Sequence, residues 1–372
     1  PMDSLLGIAL LVLLVGEVRA GRRLAAMFRD PLLLCALLLI MLLGLSVLRA
    51  GGSAVSIAQV WLRILLWLCF VLALSLACRE PELFRRMFSR WVTCAAGMGA
   101  LICLGIADDP FAAGYRLEGF FRLNSPGKLG YMYAAVPPIL LAGMPGERPV
   151  WRLLMGVAFA LSLLVVYLTD TRAAWLGAVL GLLVLGIAWR AGNRKQFFAI
   201  TAACILALGL VVAAVLFLAG EELRQALLPR GDSYRFAIWR FHLREILEHA
   251  PLLGQGMLRE LTVTAGPRTF YGAHSMYLAA ALHTGVAGLV LLLVLLTWMV
   301  LRLSAHLDKP VARLALSLLC VGLAVFSFHG DRLIDKINFV YFAIWLPLGV
   351  AHALTWRDNS SAAAVVHPGE GC

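Results

Sequence analysis

One stretch of the chain decides its fold: residues 275–301, which read SMYLAAALHTGVAGLVLLLVLLTWMVL. This stretch contains no Asp, Glu, Lys or Arg. The hydrocarbon core of a bilayer is about 30 Å thick, and a helix crosses it with about 20 apolar residues. We therefore expect residues 275–301 to form a transmembrane helix.

The composition of the whole chain agrees with that expectation. Of its 372 residues, 62% are hydrophobic and 14% are charged, whereas soluble domains are about 45–50% apolar and about 25% charged. This difference excludes a soluble fold. The 32 Lys and Arg outnumber the 21 Asp and Glu, so the formal net charge is +11. In a membrane protein such an excess indicates cytoplasmic loops that hold the topology, and nucleic acid is not an expected partner.

Similar apolar runs recur along the chain and predict eleven transmembrane helices, or twelve if another span precedes Pro1. The expected fold class is an all-α integral membrane protein, a polytopic bundle with a helical cap loop. The predicted spans are 4–18, 31–48, 56–78, 91–107, 127–143, 151–169, 172–190, 197–219, 275–301, 311–329 and 338–355. The predicted divisions are an N-terminal bundle 1–219, a large loop 220–274, C-terminal helices 275–355 and a tail 356–372.

Basic residues give the predicted bundle an orientation. Short cytoplasmic loops are enriched in Lys and Arg, and five basic loops fall on one side of the bundle. We assign that side to the cytoplasm, which puts the long loop 220–274 on the outer side and the tail 356–372 inside. The five basic loops are 19–30, 79–90, 144–152, 190–196 and 302–313.

The outer loop 220–274 contains seven arginines and no lysine. Guanidinium groups bind phosphate or carboxylate in a bidentate geometry that an ammonium group cannot form, which favours anion binding. The alternative is that these arginines are simply solvated. The loop also has apolar residues at helical spacing, which predict an amphipathic helix on the outer leaflet. These residues are Phe236, Trp239, Leu243, Ile246, Leu247 and Ala250.

The turn between two predicted spans reads TDTRAAW at 169–175. Asp170 or Thr171 is suited to cap the next helix, so Arg172 falls in its first turn. A helix N-terminus already presents a partial positive charge, and a cation there is unfavourable unless an anion occupies the site. We expect Arg172 to bind phosphate; the alternative is an arginine that extends to the lipid headgroups.

Two motifs of the outer loop carry further candidates. The sequence GDSYRFAIW at 231–239, followed by PLLGQG at 251–256, puts Arg235 at the start of the amphipathic helix. Arg235 is a second candidate anion ligand, with a solvated side chain as the alternative. The sequence YGAHSMYL at 271–278 puts His274 where the chain enters the bilayer. Imidazole both accepts and donates a proton near neutral pH, so His274 is a candidate base; the alternative is a structural histidine.

Supporting candidates come from other segments on the same side. Arg116, Arg122 and Lys128 add positive charge in or next to the loop 108–128, and Tyr271 accompanies His274. Arg63 lies inside the predicted third span, where a charge must face a cavity or a partner.

Missing motifs exclude several classes of chemistry. The chain has no GxxxxGK[ST] loop, no HExxH, no Asp-x-Asp pair and no clustered His and Cys, so neither a nucleotide-driven pump nor a metal site is indicated. We expect no metal and no cofactor. Asp331 and Asp335 are each followed by a cation, Arg332 and Lys336 respectively, which predicts a neutralised surface turn.

The order and sidedness of these motifs resemble the bacterial O-antigen ligase and O-antigen polymerase superfamily. The resemblance covers residues 110–350 and rests on TDTRAAW, on RFAIW followed by PLLGQG, and on GAHSMYL. It implies a metal-independent, inverting glycosyltransferase of the GT-C type in the bacterial inner membrane, with its active site facing the periplasm. The donor that it implies is a glycan linked to undecaprenyl diphosphate.

The resemblance also implies roles for single residues: Arg172 and Arg235 would hold the diphosphate, and His274 would be the catalytic base. A ligase would transfer the glycan to a sugar hydroxyl of lipid A-core, whereas a polymerase would use the same donor class to lengthen a chain. The segment from Asp331 to Pro347 is more similar to the ligases, so a ligase is favoured and a polymerase stays open. A third hypothesis, a non-enzymatic transporter of lipid or solute, predicts inverted repeats and broken helices.

Overall fold

A computed structural model describes residues 24–112, 114–191, 193–204, 234–259, 261–265, 268–330, 332–336 and 338–355. The predicted first span 4–18, most of the predicted span 197–219 and the tail 356–372 lie outside these residues.

The regular secondary structure of the described chain is helical apart from one small hairpin, and the protein is an all-α membrane protein. The helices are α1 (Pro31–Ser46), α2 (Ala54–Ala77), α3 (Pro81–Gly105), α4 (Pro126–Ala134), α5 (Val136–Gly143), α6 (Pro149–Leu168), α7 (Arg172–Arg190), α8 (Arg235–His249), α9 (Met276–Ser304), α10 (Pro310–Phe328) and α11 (Tyr341–Thr355). Residues 194–204 are also helical. The hairpin pairs β1 (Thr262–Ala265) with β2 (Arg268–Tyr271) in antiparallel register.

Six of the described helices are long and apolar enough to cross a membrane: α2, α3, α6, α7, α9 and α10. Helices α1 and α11 are apolar but shorter, and α11 begins with a π-helical turn, Tyr341–Trp345. The described part therefore accounts for a polytopic bundle, while the exact number of eleven spans stays a prediction.

The start of α3 differs from the prediction, which placed a span at 91–107. The helix already begins at Pro81 because its polar first turns have partners inside the protein. Arg85 is only 2% exposed, and its guanidinium donates to the carbonyls of Gly143 and Pro145 at 2.9 and 3.0 Å. Carbonyls at the C-terminal end of a helix have no partner within that helix, so Arg85 caps α5.

The predicted span 127–143 is in fact two short helices, α4 and α5. They meet at Ala135, just before Pro137 and Pro138. Two consecutive prolines remove two backbone donors and crowd the preceding turn, which ends a helix there.

Helix α9 is broken near its N-terminal end. Gly285 has φ 69° and ψ −167°, which are not helical values. Broken helices are a feature of transporters, in which the freed carbonyls coordinate ions. Here those carbonyls accept hydrogen bonds from another segment: Gln255 N–H donates to Leu282 O at 2.7 Å, and Gly256 N–H donates to His283 O at 3.1 Å.

Helices α7 and α10 form the tightest contact of the core. A side chain at Gly181 would approach Val321 to 2.4 Å, and one at Gly177 would approach Val325 to 2.9 Å. Only glycine permits this backbone approach, which is the usual role of small residues between membrane helices. The contact brings the start of α7 next to the end of α10, where the candidate site lies.

Helix α8 lies within the predicted amphipathic segment, but its packed face shares only Ile246 with the predicted apolar face. Its buried residues are Ile238, His242 and Ile246, and Ile246 contacts Leu282 of α9. Phe236, Leu243 and Leu247, which belong to the predicted apolar face, are exposed. The packed face was missed because His242 lies within it.

Candidate functional site

A cavity of about 730 Å³ opens at the end of the bundle where α4, α9 and α10 meet the hairpin and residues 332–340. The charged side chains that line it are Lys128, Arg259, Arg332, Lys336 and Asp335. Cations thus outnumber carboxylates four to one among the described lining residues. A cleft with one sign of charge and low-dielectric walls concentrates ligands of the opposite sign, so the cavity is suited to an anion.

The one carboxylate of that lining is engaged. Arg63 of α2 and Asp335 form an ion pair with 2.9 Å between Nη1 and Oδ1. This contact confirms that the membrane-embedded Arg63 has a partner. The expected neutralised turn is corrected for Asp335, whose partner is Arg63 on a distant helix, while Arg332 and Lys336 line the cavity; Asp331 lies outside the described residues.

Three segments converge on the end of α10, at Phe328–Gly330. Arg235, the first residue of α8, donates to Phe328 O at 3.4 Å, and its guanidinium lies 5.7 Å from the Phe328 ring centre. The rings of Tyr131 in α4 and His329 are 4.5 Å apart. A side chain at Gly330 would contact Met276, two residues after His274, at 3.4 Å. The predicted motifs around Arg235 and His274 therefore meet at one place.

The turn before Arg172 is held by Arg116. The Nε of Arg116 donates to Thr169 O at 3.1 Å, and Nη2 lies 3.3 Å from Asp170 O and 3.4 Å from Thr171 Oγ1. Thr171 occupies the N-cap position of α7, and Arg172 follows as its first residue with an exposed side chain. Arg116, predicted as a supporting anion ligand, is thus bound to the turn that positions Arg172.

The backbone is strained at the predicted site residues. Four non-glycine residues of the described chain have a positive φ, and each lies within two residues of a predicted site residue or is one itself. Left-handed backbone costs about 1–3 kcal/mol for such residues, and it persists mainly at functional sites. The four are Phe121 at 52°, Asp170 at 47°, Tyr234 at 64° and His274 at 48°.

The structure places the remaining predicted residues at different distances from the cavity. Lys128 and Tyr271 line it, and the Lys128 ammonium lies 3.3 Å from Asn124 Oδ1. His274 is half-buried beside the lining residue Ala273, with its ring edge against Phe270 at 6.0 Å. His274 directly follows the lining residue Ala273. Arg172 and Arg235 begin α7 and α8, which pack against the lining helices α10 and α9 but contribute no described residue to the lining. The side chain of Arg122 lies outside the described residues.

The motif PLLGQG at 251–256 is explained by the break in α9. Besides the two bonds to Leu282 and His283, Val286 N–H donates to Pro251 O at 2.8 Å. Gly254 and Gly285 face each other so closely that a side chain at Gly254 would meet the His283 carbonyl carbon at 2.4 Å. We call residues 251–256 the strap. It joins the N-terminal part of α9 to the segment that carries Arg259.

Sequence reasoning missed several lining residues. Arg332 and Lys336 were assigned to a surface turn, and Arg259 was one of seven arginines without distinction. Tyr131, His283 and His329 carry no local motif, because what brings them together is the packing of α4, α9 and α10. The one available signal was a pair of basic residues shortly after the predicted span 311–329, on the side predicted to be outside.

An apolar pocket of about 210 Å³ lies next to the cavity, between α3, α4 and α5. Its lining includes Trp91, Tyr133 and Phe342, and Met132 lines both the pocket and the cavity. The described residues thus combine a cationic chamber with an adjoining apolar one. No group of three or more His, Cys, Asp or Glu in the described part of the chain is arranged to hold a metal ion.

The fold and the cavity define a class: a polytopic helical membrane protein with a cationic ligand site at one end of the bundle. The family described as O-Antigen ligase matches residues 157–293, a segment that contains Arg172, Arg235 and His274. An O-antigen ligase of Pseudomonas aeruginosa is 27% identical over 312 residues, which cover 80% of this chain and 71% of that protein. These similarities confirm the predicted resemblance and support an O-antigen ligase-type protein.

Proposed function

We propose that this protein is an O-antigen ligase that transfers a glycan from undecaprenyl diphosphate to a sugar hydroxyl of lipid A-core. The reaction takes place at the periplasmic face of the bacterial inner membrane. The observation that carries the proposal is the cavity with its lining of Lys128, Arg259, Arg332 and Lys336. A diphosphate is the anionic part of the donor, and such a cation-rich chamber beside apolar helices suits it.

Two arginines on helices that pack against the lining helices supply the stabilisation of the leaving group. When the bond between the sugar and the phosphate breaks, negative charge builds up on the departing diphosphate. Guanidinium groups held near low-dielectric lipid stabilise that charge strongly. Arg172 and Arg235 take this role, since one begins α7 and the other begins α8, where the helix N-terminus adds its own positive charge.

His274 acts as the base. It accepts the proton of the acceptor hydroxyl while that oxygen attacks the anomeric carbon from the face opposite the diphosphate, so the configuration inverts. The new bond joins acceptor oxygen to sugar carbon, and the broken bond releases undecaprenyl diphosphate. The strained backbone of His274, with φ 48°, supports a functional position for this residue.

The apolar pocket gives the lipid part of the donor a place beside the cavity. An isoprenoid chain has no polar group, and the pocket between α3, α4 and α5 is lined by apolar side chains such as Val92, Ala96 and Ile139. Met132 contributes to both chambers. A donor whose diphosphate lies in the cavity would reach the pocket with the first units of its chain.

The test is transfer by purified protein in detergent or in liposomes, with lipid-linked glycan and lipid A-core as substrates. A single product joined to lipid A-core is expected. A ladder of lengthened lipid-linked chains would instead identify a polymerase, which uses the same donor class. Transfer is expected to continue in EDTA, because guanidinium groups rather than a metal ion carry the charge.

Arginine variants test the diphosphate role in the same assay. Arg172→Ala and Arg235→Ala should each lower transfer roughly 100-fold or more, as the loss of one preorganised donor does in other enzymes. Arg172→Lys should recover only part of the activity, because lysine keeps the charge without the fork. Arg240→Ala, an exposed arginine on α8, is the matched control and should leave transfer unchanged. Full activity of both site variants would contradict the proposal.

A further inference from the structure

His283 is held by its backbone in a fixed position at the wall of the cavity. Its carbonyl accepts the N–H of Gly256 at 3.1 Å, and the carbonyl of the preceding Leu282 accepts the N–H of Gln255 at 2.7 Å. Gly285, two residues on, ends this half of α9. The strap thus leaves the imidazole little freedom to move away from the cavity that it lines.

The imidazole of His283 is unsatisfied within the described residues. The residue is 5% exposed, and its Nδ1 is buried without a hydrogen-bond partner. A buried polar atom without a partner costs about 1–3 kcal/mol and calls for an explanation in a native protein. Since His283 also lines the cavity, rotation of its ring about the Cβ–Cγ bond would turn Nδ1 toward a ligand bound there.

We propose that His283 binds a hydroxyl group of the donor sugar that is attached to the diphosphate. This inference rests on the proposed function and adds a sugar-binding residue to it. The diphosphate needs cations, which the cavity supplies in Lys128, Arg259, Arg332 and Lys336. The sugar is bonded directly to the diphosphate, so it lies within the same cavity, and its hydroxyl groups both donate and accept hydrogen bonds.

The chemistry of imidazole favours a hydroxyl over a phosphate oxygen. A neutral imidazole has one nitrogen that donates and one that accepts, which matches the double character of a hydroxyl. A phosphate oxygen only accepts, and arginine or lysine serves it better. His283 is therefore a binding residue for the sugar, and the proton transfer remains with His274.

The experiment compares two lipids on purified wild-type protein and on His283→Leu. One lipid is undecaprenyl diphosphate without a sugar, and the other carries the glycan. For His283→Leu we expect the Kd of the glycan-bearing lipid to rise roughly tenfold, the value of one good hydrogen bond. The Kd of the bare lipid should change less than twofold. His283→Gln keeps a polar end and should recover part of the affinity.

Thermal unfolding of the same proteins separates binding from a structural role. Removal of an unsatisfied buried nitrogen should leave the Tm of His283→Leu equal to wild type or higher. The exposed His249→Leu variant is the control for both measurements and should match wild type. Equal loss of affinity for both lipids, or unchanged affinity for both, would overturn the inference. If wild-type protein binds both lipids but transfers no glycan, the proposed function fails independently of this result.

Discussion

Charged side chains are arranged differently at the two ends of the helical bundle. At the end away from the cavity, charged side chains are buried and joined to one another: Asp30 and Arg302 lie 2.7 Å apart with side chains 8% and 12% exposed. Thr355 and His352 extend this network to Ser75. At the cavity end, four described cations line a chamber that has one carboxylate, Asp335, and that carboxylate pairs with Arg63.

This difference separates charges that pair within the fold from an excess of one sign of charge around a cavity. A buried ion pair costs desolvation, and it persists when its members satisfy each other. An excess of one sign in a cavity is unfavourable in the empty protein, and it becomes favourable when a counter-charge enters. We therefore expect changes at the cavity end to affect catalysis and binding, and changes at the other end to affect stability.

The largest effect is expected for His274→Ala. Loss of a general base lowers a rate roughly 100- to 10,000-fold, while the Kd of the donor should stay within twofold because the cations are intact. The measurement is single-turnover transfer alongside donor binding. His249→Ala, an exposed histidine of α8, is the matched control. Retained turnover in His274→Ala would mean that another group takes the proton.

The opposite end should respond in stability. Asp30→Ala leaves the guanidinium of Arg302 buried with a lost partner, which costs about 3–5 kcal/mol. The Tm in detergent should fall by several degrees or more, and the folded fraction should keep the donor KM of wild type. Glu248→Ala, which breaks the exposed Arg244–Glu248 pair, should leave the Tm unchanged. A raised donor KM in folded Asp30→Ala protein would show that the end opposite the cavity also affects donor binding.

The smallest effect is expected for single cavity cations near solvent. Lys336 lines the cavity but is exposed, and an exposed charge contact contributes about 1 kcal/mol or less. Lys336→Gln should raise the donor KM about two- to fivefold and weaken its dependence on ionic strength. Lys195→Gln, an exposed lysine outside the cavity lining, should change neither value. A salt dependence identical to wild type in Lys336→Gln would remove Lys336 from the anion site.

Much of the membrane bundle was predictable, because an apolar run of about 20 residues is the length that a helix needs to cross a bilayer. Helices α6, α7 and α10 match their predicted spans closely. The errors lie where tertiary contacts override local pattern. Arg85 is buried in the first turns of α3, where it donates hydrogen bonds to α5. The backbone of Gly285 departs from helical geometry because the strap replaces the lost hydrogen bonds.

The lining of the cavity was predictable only in part: Lys128 and Tyr271 were expected near the site and line it. Arg172, Arg235 and His274 stood out in the sequence because each lies at or next to the start of a helix, and their roles stay predictions. Arg332 and Lys336 were misjudged, since the partner of Asp335 is Arg63 on a distant helix, and no spacing in the chain reveals that pair. His283 and His329 became visible only when three helices brought them to one wall.

The strap has a mechanical consequence for entry into the chamber. Since its carbonyls and amides are bonded to both sides of the gap in α9, and Arg49 holds Leu253 O at 2.8 Å, one wall of the chamber moves as a single rigid piece. Widening of the mouth then falls to the facing wall, formed by α4 and residues 332–340. A ligand too large for the mouth would enter by displacing those segments rather than the wall bearing His283.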